Sequence, residues 1–68
     1  MQMTAVLMPA IEGGYVALNP ETGTTTQGES VDEAIANLKE ATELYLEEFS
    51  VQPCGRPLVT TFDVAVNA

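Results

Sequence analysis

Seven apolar residues, Val31, Ala34, Ile35, Leu38, Ala41, Tyr45 and Phe49, recur at helical spacing and give the chain one long amphipathic helix. Leu44 and Leu46 widen the margins of that stripe. Ser30 precedes it as an N-cap, and Glu33 three residues later completes a capping box. Asp32 and Glu33 stand where the positive end of the helix dipole favours acids. The helix is expected to run to about Glu48, with Glu47 and Glu48 set unfavourably against the dipole in its last turn. In a chain of 68 residues, one helix of this length leaves only short segments on either side. The fold is therefore a single small domain, and a core this modest gains from a partner or a second copy.

The segments around the helix read as strands. Residues 1–10 hold no charge and no glycine; Met1, Met3, Ala5 and Leu7 alternate with Gln2, Thr4, Val6 and Met8. Glu12, Gly13 and Gly14 mark a tight turn, and residues 15–18 (YVAL) return the chain. Residues 19–23 (NPETG) make a second turn, and residues 24–27 (TTTQ), β-branched and polar, suit an edge strand. Beyond the helix, residues 50–57 (SVQPCGRP) form a loop broken by two prolines. Residues 58–66 then alternate, with Leu58, Thr60, Phe62, Val64 and Val66 on one side and Val59, Thr61, Asp63 and Ala65 on the other.

The expected fold is α+β of order β-β-β-α-β. An antiparallel meander is followed by a helix on one face and a fourth strand parallel to the first, in spatial order 3-2-1-4 through a right-handed crossover. The face away from the helix would carry Val6, Met8, Val16 and Leu18, an apolar patch suited to self-association.

The charge narrows the function. Ten acids oppose one lysine and one arginine, for a net charge of −8. Nucleic acid binding needs Lys or Arg to displace counterions from phosphates, so no direct nucleic acid binding is expected. A basic protein would be steered toward such a surface. Glu33, Glu40 and Glu47 lie seven apart on the helix with Glu43 beside them, and Glu12 and Glu21 stand at the two turns. These six carboxylates are either a solvated face or a surface for a basic partner. No catalytic, cofactor or metal site is expected. The chain has no histidine for general base work or zinc, and no Gly-rich loop in phosphate-binding spacing. The single cysteine, Cys54, fits a loop in a reducing compartment. No apolar run reaches the length of a membrane span and no signal peptide opens the chain, so the cytoplasm is the expected location.

The ordered set GGYVAL (13–18), NPETG (19–23) and QGESVDEAIANLKEATELYLEE (27–48) resembles the HicB family of bacterial and archaeal antitoxins. The likeness rests on Gly-Gly-aromatic-Val-Ala, a Pro-containing turn closing on Gly, Gln-Gly-acid-Ser, then Asn-Leu-Lys-Glu-Ala and Glu-Leu-Tyr-Leu-Glu. The ending GRPLVTTFDVAV resembles that of compact, single-domain members. The resemblance implies a partial ribonuclease-H-like fold and a partner, the HicA toxin, a small basic protein that cleaves mRNA with a catalytic histidine. The antitoxin binds it and covers its active site. The chain departs from the pattern in two ways. A separate C-terminal DNA-binding domain is not expected, and Thr24 follows Gly23 where the family's turn has cysteine. A ribonuclease-H-like nuclease needs metal-holding carboxylates on its first strand, and residues 1–10 supply none, so a non-enzymatic role is expected. The alternative is a solitary HicB-like oligomeric module with no toxin partner.

Overall fold

Three short strands and one helix make up the regular structure of this computed structural model, which describes residues 1–51 and 55–67. Strand β1 (Val6–Pro9), β2 (Tyr15–Asn19) and β3 (Thr24–Gly28) form an antiparallel meander in the order β1-β2-β3, followed by helix α1 (Val31–Glu48). The turn chemistry explains the meander. Gly13 and Gly14 take φ of 102° and 75° between β1 and β2, and Gly23 takes 79° between β2 and β3, all in the region where a Cβ is penalised. Asn19 supports the second turn, its Oδ1 accepting from the Glu21 N–H at 2.9 Å.

The helix begins at the expected cap. Ser30 Oγ accepts from the Glu33 N–H at 3.1 Å, while Glu33 Oε1 reaches one residue past the cap and accepts from the Glu29 N–H at 3.2 Å instead of from the Ser30 N–H of a full capping box. It ends after Glu48, where the Phe49 N–H still reaches the Tyr45 carbonyl at 2.9 Å and the two rings pack with centroids 4.8 Å apart.

Small residues let the helix lie close on the sheet. Ala17 and Ala34 are fully buried and Leu38 nearly so, with Leu7 and Tyr15 packed against them. A Cβ on Gly28 would collide with the Ala34 backbone, which shows how tightly β3 meets the first turns of α1. Polar bonds pin the same interface. Thr26 Oγ1 donates to the Ala34 carbonyl at 3.1 Å, and Asn37 Nδ2 donates to the Gln27 carbonyl at 2.8 Å. Asn19, 2% exposed, is the largest fully buried side chain, and its Nδ2 donates to Thr42 Oγ1 at 3.2 Å and to Met3 Sδ at 3.4 Å. A buried amide of this kind stays favourable only because its groups are bonded. The helix packs chiefly over β3 and β2, so the outer side of β1 is the less covered part of the sheet.

The α+β meander and helix agree with the sequence reading; three features differ. The first strand starts at Val6 rather than Met1. The apolar stripe of α1 is wider than the sheet beneath it, so Val31, Ile35 and Phe49 stay partly exposed. The fourth strand is not formed. Residues 58–66 lie outside any strand, and the spatial order 3-2-1-4 reduces to three strands. A period-2 pattern sorts side chains onto two sides but makes a strand only where an edge pairs with it. Leu58 and Phe62 are accordingly 90% and 83% exposed. The radius of gyration is 14.0 Å, against about 11 Å for a compact chain of this length. Arg56, at the root of this tail, donates from Nη1 to Gln2 Oε1 at 3.1 Å, close to the start of β1. Cys54 lies outside the described residues, as do Gln52 and Pro53 of the expected loop.

Candidate functional site

The acids proposed from the sequence divide by what holds them. Glu33 is engaged in the helix cap. Glu21 is engaged at the β2–β3 turn, where Oε1 accepts from the Thr4 N–H at 2.6 Å and ties the N-terminal segment to the sheet. Glu12 is exposed at the β1–β2 turn, at the opposite end of β2 from Glu21, so the two turn acids do not share one surface. Glu40, Glu43 and Glu47 are exposed on α1, and none accepts a hydrogen bond from another described residue. At 100° per residue they point away from Ala34, Leu38 and Thr42, the buried positions of the same helix.

Leu44 belongs with these acids and not with the core. It is 60% exposed, next to Glu43 in sequence and one turn from Glu40, Glu47 and Glu48. The sequence reading placed it at the margin of the apolar stripe. Its angular distance from Leu38, about 120° on a helical wheel, is the signal that puts it outside. The outer face of α1 is thus an apolar spot ringed by carboxylates.

The expected sheet patch is assembled. Val6 pairs with Leu18 and Met8 with Val16, so all four share the face opposite the helix, and Thr25 and Gln27 of β3 extend it as a polar border. Met8 is well exposed, while Val6 and Val16 are half-buried.

A third feature was not found from the sequence. An open groove of roughly 420 Å³ runs between the N-terminal segment and α1, walled by Met3 and Ala5 on one side and by Ile35, Leu38 and Leu46 on the other. Lys39 and Glu43 stand on its helix side and Asn19 forms part of its wall. The wide helix stripe beside an uncharged N-terminus was the available signal: the stripe extends past the three strands that could cover it. Among the described residues, no helix is long and apolar enough to cross a membrane.

A meander covered on one face by a single capped helix, with acids on the outer helix face and apolar residues on the open sheet face, defines a small α+β domain. The chain is 42% identical over 48 residues to UPF0150 protein ssl0738 of Synechocystis sp., an alignment spanning 69% of this chain and 67% of that protein. The chain belongs to the UPF0150 family. No family model matches it, and no solved structure matches it.

Proposed function

We propose that this protein is a HicB-like antitoxin that binds a small basic mRNA-cleaving toxin of HicA type and occludes its catalytic surface, without enzymatic activity of its own and in the cytoplasm. The UPF0150 family is related to HicB-like antitoxins, which supports the reading alongside the resemblance of residues 13–48. The β-β-β-α body is compatible with the first four elements of a partial ribonuclease-H-like fold.

The observation that carries the proposal is the outer face of α1. Glu40, Glu47 and Glu48 lie one turn from an exposed Leu44, with Glu43 flanking them toward the groove, which is the arrangement of a binding site with a charged rim and an apolar centre. The rim accelerates and orients encounter with a basic toxin, and Leu44 sets how long the complex lasts. The reading is tested by co-expressing the chain with the product of the adjacent gene, scoring growth rescue and pull-down, and titrating salt. Raising salt to about 1 M shortens the screening length to about 3 Å. The association rate is then expected to fall by roughly tenfold or more. A rate indifferent to ionic strength, or the absence of any complex, refutes the proposal.

The second reading, a solitary oligomeric module, is favoured by the patch of Val6, Met8, Val16 and Leu18, which an antitoxin binding through α1 does not need. A short, basic, histidine-containing reading frame beside the gene would favour the antitoxin.

A further inference from the structure

Two complementary features go unmatched within one chain. The first is the outer edge of β1. Ala10 N–H donates to the Gly14 carbonyl at 3.0 Å, and the pairing continues through Met8 with Val16 and Val6 with Leu18. The even-numbered residues of β1 therefore turn their backbone groups toward β2, and Leu7, Pro9 and the preceding Ala5 turn theirs outward. Pro9, which has no N–H, sits at an outward position, where a proline is tolerated. The Ala5 and Leu7 amides remain on an open edge, directly beside the apolar groove under α1.

The second is the tail. Residues 58–66 carry strand alternation, yet Leu58, Phe62, Val64 and Val66 are all largely exposed. An open edge and an unpaired strand-patterned segment attract one another in the manner of strand addition. Within one chain, the tail leaves from beside Gln2 and every described residue from Leu58 onward lies in solvent.

We propose that the occupant of the β1 edge and its groove is the tail of a second copy. Two chains exchange residues 58–66 reciprocally, each tail adding as a fourth strand to the other's sheet with Leu58, Phe62, Val64 and Val66 turned into the groove. The exchange satisfies both features without moving either three-stranded body. Asp63 is the only charge between residues 57 and 67, so the tail approaches an acidic partner with little local repulsion. Two nine-residue strands seated reciprocally bury an area on the order of the 1,600 Å² of a standard stable interface.

The test uses the full chain at micromolar concentration. Light scattering is expected to give twice the 7.2 kDa chain mass, and a chain carrying Phe62→Asp and Val64→Asp is expected to return to the single mass with its helical circular dichroism retained. For the contact itself, two differently tagged chains are mixed, both Cys54→Ser, one with Ala5→Cys and the other with Thr61→Cys. A short bis-maleimide is expected to join the two tags. A single-mass wild type, a dimer that survives the tail substitutions, or cross-linking found only when both cysteines sit on one chain would each overturn the exchange. The last result would put the tail on its own β1, and the second would move the interface to the sheet patch.

Discussion

Replacing Gly28 by alanine probes the closest approach in the fold. Its added Cβ would strike the Ala34 amide nitrogen and lie 2.8 Å from both Ala34 Cα and the Glu33 carbonyl carbon. Those atoms are helix backbone, so relief requires the first turns of α1 to withdraw from β3 by something like an ångström. Withdrawal disturbs Ala34, one of the few buried core residues, and stretches the Thr26 to Ala34 bond, now 3.1 Å. Overpacking of this kind costs about 1–3 kcal/mol. The weakened hydrogen bond adds about 0.5–1.5 kcal/mol. In a domain this short each kcal/mol is worth about 4–8 °C, so the melting temperature should fall by about 10 °C or more in a far-ultraviolet circular dichroism melt. Gly23→Ala is the control, because its Cβ meets nothing within 4 Å and only its φ of 79° opposes the change. That substitution should cost about 1–2 kcal/mol, and Gly23→Asn less. A Gly28→Ala protein melting within about 2 °C of wild type would refute the close packing of β3 on α1.

Thr42→Val removes the oxygen that accepts from Asn19 Nδ2 and should destabilise by about 1–3 kcal/mol in urea titration, with Thr42→Ser largely restoring stability. Glu47→Lys with Glu48→Lys places cations in a last turn that has none, and each should stabilise the helix by roughly 0.3–1 kcal/mol at low salt. If the antitoxin reading holds, the same pair slows toxin association, so stability and binding move in opposite directions. Leu44→Asp should leave the unfolding free energy within about 0.5 kcal/mol of wild type, since the side chain is largely exposed, while shortening the lifetime of the toxin complex.

The helix and both turns were legible because their causes are local. Ser30 and Glu33 write the start of α1, and Gly13, Gly14 and Gly23 supply the backbone conformations that the turns require. The expected fourth strand is absent from the described residues of the single chain because pairing is not local. The alternation in residues 58–66 is real, but no pattern within those residues states which edge takes them. The same limit applies to the candidate site. Periodicity gathered Glu40, Glu43 and Glu47 on one face, and alternation gathered Val6, Met8, Val16 and Leu18 on another. It did not reveal that Glu21 is occupied by the Thr4 amide, because that carboxylate's partner depends on where the chain folds back. The groove escaped notice for a related reason: it is a mismatch in width between helix and sheet, and it exists only once both are assembled.

Asn19 is the junction of that assembly. It grips Met3, Thr42 and the backbone of Glu21, and Glu21 in turn grips Thr4. The N-terminal segment is thereby clamped at a set distance from the helix before anything enters the space between them. A strand arriving there finds a finished slot and forfeits only its own freedom, which is the thermodynamic advantage of a rigid receptor. Loosening the clamp at Asn19 would therefore weaken docking even though the incoming strand kept every contact with α1.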